Sequence, residues 1–249
     1  MLATRIIPTV LSKNLNLVKG QGFESDRVCG HALQASRIHG SRGVDELILL
    51  DVAATPENRE PDYAMVEALS EKCFIPLAVG GGIREMKHIK GLLNAGADKV
   101  VIGTAAIENP EFIRRAADHY GRQAICVAID VKHGHVWSNC GRVPTVLQPE
   151  NWAYACEQLG AGELMVTAIE RDGTMQGYDI ELIRKVSMTV SVPVIASGGA
   201  GSYEDFYKAI GAGASAVAAG ALFQFTDATP QEAAIYLENR GVEVRNGNH

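Results

Sequence analysis

The sequence lacks the features that mark membrane, secreted and nucleic-acid-binding proteins. It has no run of about 18 apolar residues, and no cationic segment followed by an apolar stretch. The net charge is −6, and the basic residues neither cluster nor alternate with aromatic ones, which argues against a nucleic acid partner. We therefore expect a soluble, cytoplasmic protein that binds neither a membrane nor a nucleic acid.

A metal site and a disulfide framework are also poorly supported. The number of cysteines is odd, no CxxC pair is present, and the seven histidines are scattered without forming a ligand cluster with a cysteine. Histidine, aspartate and glutamate show no spacing typical of metal ligands. We expect no metal, no cofactor and five reduced cysteines, which are Cys29, Cys73, Cys126, Cys140 and Cys156.

The sequence does contain an alternation of short apolar runs and amphipathic stretches, repeated about eight times over 249 residues. Eight β-then-α units without a linker predict one domain over residues 1–249, an α/β protein folded as a single (βα)8 TIM barrel. Pro110, Pro149 and Pro230 lie where proline suits the first turn of a helix. The predicted strands are 5–11, 46–51, 76–79, 99–102, 124–130, 163–168, 193–196 and 216–219, and the predicted helices are 31–42, 62–72, 86–95, 110–120, 149–159, 180–190, 203–212 and 230–239.

An internal repeat supports closure of the barrel. The segment "IPLAVGGGIREMKHIKGLLNAGADKVVIGTA" from Ile75 aligns without gaps with "VPVIASGGAGSYEDFYKAIGAGASAVAAGAL" from Val192, an offset of 117 residues. The same offset places Glu46 on Glu163. Two similar four-unit halves fit a closed barrel better than an open doubly wound sheet, whose halves diverge at a switch point.

Four predicted strand ends are followed by turns of small residues. In such a barrel the chemistry lies at the carboxyl ends of the strands, and glycine lets backbone N–H groups approach an anion closely. The alternative is that these glycines only make tight turns. Because the turns fall on two pairs of neighbouring strands related by the repeat, they predict two phosphate sites and a bisphosphate ligand, unless the second site is a vestige. The turns are residues 80–82, 103–104, 197–199 and 220–221.

A series of ordered motifs resembles one known family. "MLATRIIP", "DELILLD", "VGGGIR", "AGADKVVIGTAA", "VAIDVK", "RDGTMQGYD" and "PVIASGGAG" resemble HisF, the cyclase subunit of imidazole glycerol phosphate synthase, from Met1 to about Arg245. The resemblance implies a (βα)8 barrel that takes ammonia from a HisH-type glutaminase docked at its N-terminal face, as a heterodimer. The ammonia is used there to split and cyclise a bisphosphorylated ribonucleotide.

The resemblance also assigns site residues. Lys19 would lie in a mobile loop that covers the substrate, and residues 12–30 are long for a βα connection, which favours a lid or a disordered segment. The substrate and phosphate contacts would be Gly82, Gly103 and Thr104 at one end, and Thr167, Asp172, Gly173, Gly199, Gly220 and Ala221 at the other.

Four charged residues match the family's ring at the bottom of the barrel, its ammonia gate. They are Arg5, Glu46, Lys99 and Glu163. Strand periodicity reaches the same set, because each opens a predicted strand in phase with the inward positions above it. Charges inside a barrel are costly unless paired, and here two cations meet two anions. Periodicity alone does not distinguish a structural salt-bridge plug from a gate.

One catalytic position departs from the family. Its acid–base pair lies at the tops of strands 1 and 5; strand 5 keeps Asp130, but strand 1 has Leu11 where the family has an acid. Leucine can neither donate nor accept a proton. Other inward positions are also less polar than in the family, at Ala78, Val101 and Gly103. We interpret Leu11 as a core residue in a vacated catalytic position.

HisF-like paralogues from surface-polysaccharide gene clusters share this kind of change, and they resemble the chain in "EPDY" and "DGTMQGYD". They are thought to supply ammonia, with a HisH-like glutaminase, to an amidotransferase that makes acetamidino sugars. Three hypotheses follow. The first is an ammonia-channelling HisF-like subunit for amidino-sugar or O-antigen biosynthesis, acting on a phosphorylated substrate or with a partner sugar amidotransferase. The second is an authentic histidine-pathway cyclase, and the third a non-catalytic conduit or scaffold.

Overall fold

Eight parallel strands form a closed barrel in the computed structural model, which describes residues 3–24, 27–42, 44–71 and 74–245. Each strand pairs with the next along the chain, and the last pairs with the first from Arg5 beside Ala216 to Pro8 beside Ala219. The strands are β1 (Arg5–Lys13), β2 (Leu47–Asp51), β3 (Leu77–Gly80), β4 (Lys99–Ile102), β5 (Ile125–Lys132), β6 (Glu163–Ala168), β7 (Val194–Ser197) and β8 (Ala216–Ala219). The predicted (βα)8 barrel is confirmed.

The helices lie outside the strands, and side-chain caps fix several of their starts. Asp62 accepts a hydrogen bond from the Met65 amide, and Thr229 forms a reciprocal capping box with Glu232. Pro149 and Pro230 occupy the first turn as predicted, whereas Pro110 precedes its helix by one residue. The helices are α1 (Ala32–Ser41), α2 (Tyr63–Ser70), α3 (Met86–Asn94), α4 (Glu111–Tyr120), α5 (Pro149–Gln158), α6 (Ile180–Ser187), α7 (Tyr203–Gly211) and α8 (Pro230–Glu238), with short helices at Thr104–Glu108 and Ala221–Phe225.

The apolar residues are buried in two places. The larger part of the core lies between the strands and the helices, where the amphipathic faces pack. The smaller part fills the inside of the barrel and forms what we call the interior layer. Its members are Ile7, Ile48, Ala78, Val101, Cys126, Met165, Ile195, Ala216 and Ala218. The layer separates the bottom of the barrel from its mouth.

Two antiparallel hairpins extend the barrel at the carboxyl ends of the strands. The first, which we call the lid, consists of strands Asn16–Lys19 and Arg27–His31 and continues β1 by pairing Ser12 with Leu17. The described part of residues 12–30 is therefore built around two strands, and its role in covering a substrate stays a prediction. Ser25 and Asp26 lie outside the described residues.

The second hairpin, which we call the β5 hairpin, consists of strands His135–Ser138 and Val143–Pro144. It pairs with the end of β5, from Asp130 beside Trp137 to Lys132 beside His135. The sequence analysis did not predict it. The sequence feature that could have indicated it is the pair His133 and Gly134. In the structure this pair forms a tight turn, with φ angles of 51° and 75°.

Some predicted absences can be compared with the described residues. No described helix has the length and hydropathy needed to cross a membrane. Within the described ranges, no three His, Cys, Asp or Glu side chains come together as a set of metal ligands. Cys29, Cys126, Cys140 and Cys156 are free thiols, and Cys73 lies outside the described residues.

Candidate active site

A pocket opens at the carboxyl ends of the strands, beneath the lid. It collects nearly all of the predicted catalytic and substrate-binding residues, because the βα turns and the lid converge there. Gly82 lies instead in an adjoining pocket, which it shares with Gly103 and Thr104. The predicted residues that line the central pocket are Leu11, Lys19, Gly103, Thr104, Asp130, Thr167, Asp172, Gly173, Gly199, Gly220 and Ala221.

Asp130 stands at the end of β5, half-buried in the wall of the central pocket. Burial raises the pKa of its carboxyl to about 7, helped by the negative charge of Asp172 and opposed by a hydrogen bond from Thr167. Thr167 is its register partner on β6. A carboxyl with a pKa near 7 can both accept and donate a proton at neutral pH, which suits general acid–base catalysis.

The raised pKa predicts a pH-dependent effect of Asp130 on stability. As the pH rises, the unfolded carboxyl loses its proton near pH 3.8 and the folded one near pH 7, so the free energy of unfolding falls between those pH values. Asp130→Asn should therefore gain thermal stability over the unmodified protein by several degrees at pH 8, and by much less near pH 4. Calorimetric melting curves across this range measure the difference.

The control for this prediction is Asp118→Asn, which removes an exposed acid on α4. It should leave the melting temperature close to that of the unmodified protein at both pH values. A gain for Asp130→Asn that does not depend on pH would contradict the prediction, because it would reflect packing rather than ionisation.

Lys19 reaches from the lid down to the wall of the pocket. It is buried, and its Nζ donates a hydrogen bond to the Thr9 carbonyl oxygen at 3.0 Å. Burial lowers the pKa of the ammonium to about 8, although the charge of Asp172 opposes this. Gly220 makes room for the ammonium, because a Cβ there would collide with Nζ. Lys19 thus places a positive charge beside the predicted phosphate turn of β8.

The lid is also held at a second place, the turn after β6. The Gly22 amide donates to the Asp172 carbonyl oxygen at 3.0 Å, and Gly173, with a φ of 72°, lies against the Gly20 carbonyl. A side chain at Gly173 would overlap that carbonyl. The "RDGT" turn after β6 therefore serves as the seat of the lid.

The predicted phosphate turns after β3 and β4 are already partly occupied by internal hydrogen bonds. The Gly82 amide donates to Thr55 Oγ1 at 3.2 Å, so it is not free to bind an anion without a rearrangement. Thr104 Oγ1 accepts the Asn139 amide at 2.9 Å, which leaves the hydroxyl proton available for another acceptor. Of the two, Thr104 is the better placed to contact a phosphate.

Leu11 lines the pocket on β1, as its strand phase predicted. It is half-buried and lies beside Leu50 in the β1–β2 register. Neither residue can exchange a proton. The wall that would carry the second acid of the family's pair is therefore apolar.

The four charged residues predicted at the bottom of the barrel do meet there. We call them the charged ring. Arg5 pairs with Glu46 at 2.6 Å and also with Glu163, while Lys99 pairs with Glu46 and Glu163 at 2.9 Å each. Burial lowers the pKa of Lys99, but the charges of Glu163 and Glu46 outweigh it and leave the pKa above its usual value. Each cation thus bridges both carboxylates.

Several residues that line the central pocket escaped the sequence analysis. Asp51 ends β2, caps the Ala53 and Ala54 amides and pairs with Arg59 at 3.2 Å. Cys140 comes from the β5 hairpin, and burial raises the pKa of its thiol to about 12, which keeps it protonated. Asp51 could have been found as the last residue of "DELILLD", whereas Cys140 enters through a hairpin that was not predicted.

Comparison with known proteins agrees with this arrangement. The model of the histidine biosynthesis protein family matches residues 5–229, which include all eight barrel strands, the charged ring and the central pocket. That family consists of enzymes, and it includes an isomerase and a cyclase. A match over this much of the barrel assigns the chain to a family of TIM-barrel enzymes, and we conclude that it belongs to the histidine biosynthesis protein family.

Proposed function

We propose that this chain is a HisF-like synthase subunit that receives ammonia from a HisH-type glutaminase through its barrel. It delivers the ammonia to a phosphorylated substrate or to a partner amidotransferase, in amidino-sugar and O-antigen biosynthesis. The observation that carries the proposal is a complete charged ring below a pocket in which Leu11 replaces an acid. The conduit is kept while the cyclase chemistry is altered.

The N-terminal face of the barrel has features that suit a docked glutaminase. The charged ring opens on this face, where the Arg5 and Lys99 side chains keep 15% and 22% of their surface exposed. Phe74, in the connection before β3, is 94% exposed, and Met188, in the connection before β7, is 81% exposed. Phe74 and Met188 are therefore available as apolar contacts for a glutaminase docked at this face.

The interior layer supports transport of neutral ammonia rather than of ammonium ion. Above the charged ring, the inside of the barrel is lined by apolar side chains such as Ile48, Val101 and Met165. A charge entering such a layer loses its hydration without a partner, whereas a neutral molecule avoids most of this cost. An ammonium ion that reaches the charged ring would therefore leave its proton on the ring or in the solvent, and neutral ammonia would pass on.

An authentic histidine-pathway cyclase is the second candidate, and the pKa of Asp130 favours it. A carboxyl that titrates near pH 7 could act as acid and then as base without a second carboxylate. This candidate predicts that the gene rescues a histidine auxotroph that lacks the cyclase. Growth on minimal medium would favour it over the proposed function.

Binding of a HisH-type glutaminase tests the proposed function directly. Phe74→Asp should weaken the complex about tenfold, because a charge would replace an apolar side chain on the face proposed to dock the glutaminase. Isothermal titration calorimetry of the two purified subunits measures the change.

Val146→Asp is the matched control, since Val146 is 90% exposed but lies at the opposite end of the barrel, next to the β5 hairpin. It should bind like the unmodified chain. The proposal fails if the unmodified chain binds no HisH-type glutaminase, and docking at this face fails if both variants bind equally well.

A further inference from the structure

We propose that one half of the central pocket selects a phosphorylated ligand whose middle carries an apolar group instead of hydroxyl groups. The inference rests on the phosphorylated substrate of the proposed function and adds its chemical class. The half in question, which we call the apolar strip, crosses strands β1, β2, β4 and β5. It consists of Leu11, Leu50, Val101 and Ala128, all of which line the pocket.

The apolar strip is continuous because glycines remove the side chains that would interrupt it. Leu11 and Leu50 are register neighbours on β1 and β2. On β3, a Cβ at Gly80 would lie 2.8 Å from Leu50 Cδ2 and 3.0 Å from Val101 Cβ, so these two side chains approach each other over Gly80. Because Gly80 has no side chain, Leu11, Leu50 and Val101 form one continuous apolar surface.

The strip reaches β5 through a second glycine. A Cβ at Gly103 would meet Ala128 Cβ at 3.7 Å, an ordinary contact distance, so the position has room that the chain leaves unfilled. Leu11, Leu50 and Ala128 are all half-buried, and their exposed surface faces the pocket. Apolar surface left open inside a pocket is most simply explained by an apolar part of the ligand.

The other half of the pocket is polar. Asp130, Thr167, Asp172 and Ser197 lie along β5, β6 and β7 and the turns that follow them. A ligand between the two halves would therefore be asymmetric, with hydrogen-bonding groups toward β6 and an apolar group toward β1 and β2.

The anionic end of such a ligand has a place next to the strip. Lys19 holds its ammonium between Gly220, after β8, and Thr9, which lies on β1 two residues before Leu11. A phosphate bound to Lys19 would direct the neighbouring carbons of the ligand across Leu11 and Leu50. Hydroxyl groups packed against the strip would lose water without gaining a partner from its apolar side chains, which is unfavourable.

Two phosphate esters of equal charge and equal carbon number test the inference. Propyl phosphate and glycerol 3-phosphate differ only in two hydroxyl groups, and calorimetric titration of the whole chain with each gives the affinity ratio. The unmodified protein should bind propyl phosphate about tenfold more tightly, the size expected when a site cannot pair a polar group. Equal affinities, or tighter binding of glycerol 3-phosphate, would overturn the apolar selection.

Variants locate the effect. Leu11→Asn should bring the ratio close to one, and Leu50→Asn should do the same if the first variant does not fold. Leu15→Asn is the matched control, because Leu15 is 46% exposed in the lid and has a φ of 66°, which asparagine tolerates well; it should keep the tenfold ratio. An unchanged ratio in a folded Leu11→Asn would overturn the inference. Binding of neither ester would instead remove the phosphorylated ligand on which both proposals depend.

Discussion

Replacing Leu11 with aspartate should raise the cyclase activity of this barrel by about 10²–10⁴-fold, the usual contribution of general acid–base catalysis. The substitution restores a carboxyl on β1 to a pocket that already contains Asp130 on β5. The measurement incubates the barrel with the bisphosphorylated ribonucleotide of the family and excess ammonium salt at mildly alkaline pH. Imidazole glycerol phosphate is then quantified by mass spectrometry, and no glutaminase is needed.

Leu11→Asn is the control for this gain. Asparagine has nearly the shape of aspartate but cannot transfer a proton, so it should leave kcat at the level of the unmodified protein even where it changes the affinity for the ligand. Rapid turnover by the unmodified protein would contradict the prediction and make the chain an authentic cyclase that works with Asp130 alone. If none of the three proteins forms imidazole glycerol phosphate, the pocket lacks more than the acid on β1.

Glu163→Gln should cost about 3–5 kcal/mol of unfolding free energy, because it leaves a buried positive charge without a full partner. Arg5 and Lys99 both pair with Glu163 and Glu46, so after the substitution two cations share one carboxylate. The side chains of Glu163 and Glu46 keep only 7% and 3% of their surface exposed, so solvent screens the lost charge poorly. Urea unfolding followed by circular dichroism measures the cost.

Glu60→Gln provides the comparison on the surface. Glu60 pairs with Lys87 at 3.1 Å, and both side chains are more than half exposed, so solvent screens the pair and its loss should cost far less than the loss of Glu163. Equal and small effects of the two substitutions would show that the ring is well hydrated. In that case water, rather than a closed set of ion pairs, would fill the bottom of the barrel.

The barrel and its charged ring could be predicted because both depend on strand periodicity. Arg5, Ile7, Thr9 and Leu11 alternate along one strand, and a two-residue period is enough to place the charge at the bottom and leucine at the mouth. The half-chain repeat then indicated closure. The alternation along a strand is local and the half-chain repeat is regular, so both can be recognised in a single sequence.

The details of the mouth could not be predicted in the same way. The hydrogen bond from Gly82 to Thr55 and the one from Lys19 to Thr9 join separate turns, and neither residue type reveals its partner. The β5 hairpin is likewise an insertion whose strands are short and only partly apolar. Contacts between loops depend on how the finished barrel places them, and periodicity carries no information about that.

The closed lid also has a kinetic consequence. Lys19 ties the lid to β1, and the Gly22 amide ties it to the turn after β6, so the two attachments lie on different sides of the mouth. Full opening of the lid must break both, and this motion is separate from any chemical step. Opening of such lids often limits turnover. However fast the proton transfers are, the residence time of a product under the lid would then set the flux through this protein.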